Sequence, residues 1–152
     1  MIQVKQLTKL YGPILALDRI DLHVPAGRIV GFLGPNGAGK TTAIRILTCF
    51  MPATSGEARV DGHDVFTQSD AVRSRIGYLP ENTPLYPELR VEEQLHYFGK
   101  LHGMGRADRR RRIEALSEAC GLEAIRRRVV GQLSKGNRQR VGLAQALLHD
   151  PP

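Results

Sequence analysis

Arg28-Ile29-Val30-Gly31-Phe32-Leu33-Gly34-Pro35-Asn36-Gly37-Ala38-Gly39-Lys40-Thr41-Thr42 is the stretch on which the fold turns. Residues 28–33 form a short, almost continuous apolar run, the pattern of a strand buried on both faces. From Gly34 onward the chain fits G-x-x-x-x-G-K-[ST] at every fixed position, and residues 41–47 read as a helix. That order, strand then glycine-rich loop then helix, is the context in which such a loop grips the phosphates of a nucleoside triphosphate. Gly34, Gly37 and Gly39 let the main chain bend and approach an anion without a Cβ in the way. The orphan N–H groups and positive dipole end of the helix point back at the same place. Pro35, Asn36, Ala38 and Thr42 complete the loop, with Lys40 reaching the β- and γ-phosphates and the Thr41 hydroxyl placed for Mg²⁺. A nucleoside triphosphate with Mg²⁺ is therefore the expected ligand.

The chain has 152 residues, 41% of them hydrophobic, enough for one domain with a packed core. No apolar run approaches the length of a membrane span, and the first residues lack the layout of a secretion signal. A cytosolic location is expected. Cys49 and Cys120 show neither metal-like nor redox spacing and read as reduced thiols. The net charge is +7. Residues 106–128 hold eight arginines and four acids, an excess of four that accounts for more than half of that charge. A solvated helix face is the plainest reading of this run, ahead of a surface for anionic lipid or an acidic partner loop. Nucleic acid ranks last, because no aromatic residues are interleaved to stack on bases.

Along the rest of the chain, residues 2–7 and 17–24 alternate apolar and polar, with Ile20, Leu22 and Val24 on one face, and predict two antiparallel strands. Asp61-Gly62 within residues 57–65 signals a tight hairpin. Residues 76–79 read as a second buried strand closed by Pro80. Helices are predicted over 91–101, 108–120 (with Gly121 as a stop) and 137–149.

Four further features stand around the loop. Tyr11 lies near the end of the first strand; taken alone it reads as a packed tyrosine. Residues 76–81 end in Pro80-Glu81. Leu133-Ser134-Lys135-Gly136-Asn137 precedes a helix, with Ser134 in the position of a helix cap. Val141, Ala144, Leu147 and Leu148 then mark one apolar helical face. In this order the features resemble the ATP-binding subunit of ABC transporters, over the whole length of the chain. The Pro80-Glu81-Asn82 loop and the Leu-Ser-Lys-Gly form look most like the exporter branch of gliding-motility, multidrug and sodium-efflux ATPases.

The resemblance implies an α/β fold: a P-loop NTPase core with an N-terminal antiparallel β subdomain and a helical insert, incomplete at the C-terminus. It places a strand-rich nucleotide core at 1–80 with the loop at 34–42, the Q-loop and helical subdomain at 81–134, and the signature helix at 135–152. It gives Tyr11 the task of stacking on adenine. Ser134 and Gly136 would bind the γ-phosphate of an ATP held by a second ATP-binding subunit, in a homodimer or heterodimer. Glu81 stands where the family has a glutamine that touches Mg²⁺, and reads equally as a metal contact or as an exposed loop glutamate. The family couples ATP hydrolysis to transport through integral membrane permease subunits, which would set this chain on the inner face of the cell membrane. The Mg²⁺-holding aspartate and catalytic glutamate of the family do not occur in these residues, so the 152 residues alone are expected to be inactive. A soluble ABC ATPase acting on nucleic acid or ribosomes, and an inactive remnant, are the alternatives.

Overall fold

β1 (Ile2–Tyr11) and β2 (Ile14–Val24) form an antiparallel hairpin in which Ile20, Leu22 and Val24 turn inward between exposed Asp21 and His23. The computed structural model describes residues 1–152. Three register shifts break the hairpin ladder, the last between Lys9↔Leu17 and Leu10↔Leu15 with the extra residue on β2. Between the pairs Val4↔Leu22 and Leu7↔Ile20 the extra residue lies on β1, and between Leu7↔Ile20 and Lys9↔Leu17 it lies on β2. Gln6 (φ 47°) and Arg19 (φ 43°) take left-handed conformations at these points. Their freed backbone donors are satisfied locally. The Gln6 amide donates to Asp21 Oδ1 at 2.9 Å, and the Arg19 amide to Thr8 Oγ1 at 3.2 Å.

β3 (Ser55–Val60) adds to the other edge of β1, and β4 (His63–Asp64) closes onto β3, so the sheet order is β2-β1-β3-β4 with every pair antiparallel. The turn between β3 and β4 is Asp61-Gly62 with φ 48° and 79°, as the dipeptide predicts. α1 (Lys40–Leu47) buries Ala43, Ile46 and Leu47. Val4, Leu7, Leu17, Ala58 and Val60 of the sheet are buried too, and a short α2 (Ser69–Arg73), which the periodicity did not predict, adds Val72. These elements make up one compact unit, Met1–Arg75.

The two strands predicted as buried are not strands. Residues 28–33 and 76–79 form no ladder, and Ile29 and Leu33 are 104% and 91% exposed. A strand exists only through a neighbour that takes its N–H and C=O groups. Neither segment pairs with an edge of the four-stranded sheet, whose order is β2-β1-β3-β4.

The second unit, Ile76–Pro152, is helical. α3 (Val91–Leu101), α4 (Arg106–Ala119) and α5 (Lys135–Ala146) lie close to the predicted spans. Two single turns of 3₁₀ helix, Glu123–Ile125 and Val130–Gln132, were not foreseen. One apolar cluster joins all three helices: Val91 and Leu95, Ile113 and Leu116, and Val141, Ala144 and Leu148. Leu147 is 38% exposed and drops out of the apolar face expected for α5. Glu93 accepts the Arg90 amide at 2.8 Å and so caps α3. No helix is long and apolar enough to cross a membrane.

The arginine run is not a uniform solvated face. Arg106, Arg110 and Arg111 are exposed, but Arg109 is buried, donating to His96 Nδ1 at 3.2 Å and to the Met104 carbonyl at 2.9 Å. Arg112 holds the Leu147 carbonyl and Asp150, and Arg126 faces Glu92 at 3.8 Å. Three of the eight arginines are thereby engaged within the unit.

Desolvation holds His96, His102 and His149 below the ordinary imidazole value, with the Arg109 charge adding to the effect at His96. The His102 and His149 rings stack 3.9 Å apart and 3° from parallel, and His149 Nδ1 is buried without a partner. A histidine with a depressed folded value binds its proton more readily when unfolded. Stability is therefore full above the unfolded value of about 6.5 and falls as pH drops below it. Urea denaturation of the protein should give a lower midpoint at pH 5.5 than at pH 7.5. Replacing both His102 and His149 with glutamine should shrink that difference.

Candidate nucleotide site

Gly39 is the N-cap of α1 and sits at φ 83°, ψ 1°. A Cβ there would lie 2.5 Å from the Ala16 carbonyl oxygen and 2.5 Å from Leu17 Cδ2, so both the conformation and the close approach to β2 call for glycine. That contact fixes the start of the helix. Gly37 is also left-handed, with open space where a Cβ would stand. Within the loop, the Ala38 amide bonds back to the Pro35 carbonyl at 3.3 Å. The first N–H groups of α1 have no intrahelical carbonyl to meet, and no acidic side chain lies in its first turn. Donors at a helix start, a loop free of carboxylates and a lysine in the same loop form an anion cradle.

The Lys40 ammonium lies inside this cradle. Its Nζ donates to the carbonyls of Gly34 at 2.6 Å and Pro35 at 2.7 Å. A phosphate arriving at the helix start would meet a cation already in the loop, held by carbonyls that it can leave for a charged acceptor. Pro35, Asn36, Ala38 and Thr41 are exposed, and Thr42 is half-buried. No group of three His, Cys, Asp or Glu side chains could hold a metal by itself. A divalent ion here would take the Thr41 hydroxyl together with nucleotide oxygens and water, a donor set that suits Mg²⁺.

Tyr11 lies in the same unit, at the β1 end of the hairpin, 41% exposed, with its hydroxyl donating to Met51 Sδ at 3.1 Å. Lys9 Nζ stands 5.2 Å from the ring centroid and donates to the Pro52 carbonyl at 2.8 Å. One ring face is thus engaged by a cation, and the residue is exposed.

In the helical unit, Ser134 caps α5. Its Oγ accepts the Asn137 amide at 3.3 Å, in the geometry that its position before the helix predicts. Gly136 is exposed in the first turn, with nothing within 4 Å of its Cβ position. The start of α5 therefore presents a hydroxyl, free backbone donors and the exposed Lys135. Glu81 is exposed on the loop before α3. Sequence reasoning overlooked two participants here. Gln94 is wholly buried and bonded to Gln145, and Gly142 lies directly beneath Thr83. A glutamine on a helix gives no sign in the sequence that it will be buried, and Gly142 could be noticed only as an unexplained glycine in a helical stretch.

Known proteins resemble this chain over most of its length. The family described as ABC transporter matches residues 17–152. The chain is 42% identical over 139 residues to the ABC transporter ATP-binding protein NatA of Bacillus subtilis, covering 91% of this chain and 56% of that protein. It is 42% identical over 150 residues to the daunorubicin resistance ATP-binding protein DrrA3 of Streptomyces coeruleorubidus, covering 99% and 48%. The chain thus spans about half the length of these curated relatives. Among solved structures, the bacterial ABC transporter cassette MJ0796, solved as a dimer, superposes with a TM-score of 0.89 at 31% identity, covering 100% of this chain and 71% of that one. The same cassette has been solved as a dimer in a post-hydrolysis state bound to ADP and Pi.

Gly39→Ala places a methyl group against the Ala16 carbonyl in a conformation that alanine rarely adopts. It should destabilise the protein by about 2 kcal/mol or more and abolish nucleotide binding. Denaturant unfolding and titration with a fluorescent ATP analogue check the two effects. A variant of parental stability that binds the analogue normally would contradict the fixed start of α1.

Proposed function

The chain belongs to the ABC transporter family, and we propose on that premise that it is the ATP-binding part of an exporter, coupling ATP binding and hydrolysis to movement of a substrate through separate membrane subunits. The observation that carries the proposal is the loop 34–42. Its left-handed Gly39 starts α1 at Lys40, whose ammonium lies within a carboxylate-free turn, with Thr41 next in the helix. Phosphoryl transfer asks a protein chiefly for position and charge stabilisation, and these groups supply both.

In this reading the loop amides and Lys40 hold the β- and γ-phosphates, and the exposed Tyr11 ring stacks on adenine. Mg²⁺, when bound, would neutralise charge on the phosphate oxygens, with Thr41 as a protein ligand. Ser134, Gly136 and the start of α5 take the γ-phosphate of an ATP gripped by a second subunit, identical or homologous, so that two nucleotides lie between two chains. The dimeric state of the related cassette supports that arrangement, and the resistance role in DrrA3's name supports export. Assembly on permease subunits would keep the chain peripheral on the inner face of the cell membrane. The alternative, a soluble ATPase on nucleic acid or ribosomes, drew on the arginine run, and the internal engagement of Arg109, Arg112 and Arg126 weakens it.

Lys40→Ala in the purified full-length complex should lower ATP turnover on the order of a hundredfold, the equivalent of about 3 kcal/mol of transition-state charge stabilisation. Steady-state phosphate release measures it. Turnover within a few-fold of the parent would remove Lys40 from the role assigned to it.

A further inference from the structure

α5 and the loop that carries Glu81 meet at two places, three residues apart along the helix. At the first, Gly142 is buried, and a Cβ on it would lie 2.4 Å from Thr83 Cγ2 and 2.8 Å from Leu79 Cδ1. The loop can come this close to the helix backbone only over a glycine. At the second, Gln145 Oε1 accepts Gln94 Nε2 at 2.7 Å, and Gln94 Oε1 accepts the Tyr86 amide at 3.1 Å. Gln94 is 0% exposed. Its neighbours on α3, Val91 and Leu95, belong to the apolar cluster, so an aliphatic side chain would suit the position as far as burial alone is concerned. The amide instead bonds a loop on one side and a second helix on the other, and a satisfied buried network of this kind fixes register.

We propose that Gln94 and Gln145, with Gly142, form a positioning clamp that locks the Glu81 loop to the helix whose first turn bears Ser134. α5 is a continuous helix from Lys135, and Gly142 lies about 12 Å along it from Ser134 at 1.5 Å per residue. A displacement of the Ser134 end is thus carried to Leu79, Thr83 and Tyr86 as a rigid-body movement rather than lost in a flexible joint. None of the three residues touches nucleotide; each acts by holding the loop and the helix in one alignment. The inference rests on the reading of Ser134 as a γ-phosphate contact.

The test is ATP hydrolysis by the purified full-length complex, with kcat and KM determined separately. Gln145→Leu and Gln145→Asn both lose the bond to Gln94, the second by shortening the side chain with little change in volume. Each should lower kcat about tenfold, with KM for ATP within twofold of the parent, because the loop 34–42 is untouched. Gln145→Glu keeps an acceptor at the same reach and should restore kcat to within twofold. Unchanged kcat in Gln145→Asn, or an equal loss in Gln145→Glu and Gln145→Leu, would overturn the clamp while leaving the ATPase reading intact. Should Gln145→Leu fail to fold, the comparison of Asn with Glu decides. A parent complex that hydrolyses no ATP would overturn the ATPase reading, and the clamp with it.

Discussion

Gly39 rests against the Ala16 carbonyl and the Leu17 side chain of β2, in a left-handed conformation, and this contact determines where α1 begins. Everything proposed for the nucleotide follows from that start. The helix contributes its first donors to an anion only if they emerge at the end of the loop, and Lys40 enters the loop only because it is the first helical residue. Behind the helix, Ala43, Ile46 and Leu47 are held in the core of the first unit. The position of the loop is therefore tied both to the sheet, through Gly39, and to the core, through the helix that the glycine starts.

The loop and its helix were legible in the sequence because their chemistry leaves little choice of residue. Glycine is needed at φ 83°, a cation is needed inside the turn, and a hydroxyl follows. The Asp61-Gly62 turn and the cap at Ser134 were legible for the same reason, since each is a local conformation with a narrow set of suitable side chains. Residues 28–33 and 76–79 were misread because an apolar run reports only that a segment suits burial. Whether it becomes a strand depends on a ladder partner, and neither segment pairs with any of the four strands.

Charge was the least legible property. Counted along the chain, the arginines of residues 106–128 look equivalent, and α4 alone bears Arg106 and Arg109 through Arg112. In the fold, Arg109 turns under α3, where Gly99 leaves room for its stem, and Arg112 secures the turn after α5 through the Leu147 carbonyl. Long basic side chains bury their stems and direct their donors to backbone carbonyls wherever helices cross, so the count overstates the charge available to a partner. The buried pair Gln94 and Gln145 shows the converse: two polar residues without any sequence signature become the link between a loop and the helix that bears Ser134.

Peptide-resolved hydrogen exchange on the full-length protein, with and without ATP under conditions of slow hydrolysis, tests most directly the proposal that the start of α1 in one chain and the start of α5 in a second chain take the same ATP. The account predicts slower exchange in peptides spanning residues 36–42 and, in the dimer proposed for the ATP-bound state, in peptides spanning 134–138. ADP should protect only the first set. Protection confined to other regions, or none at either helix start, would contradict it.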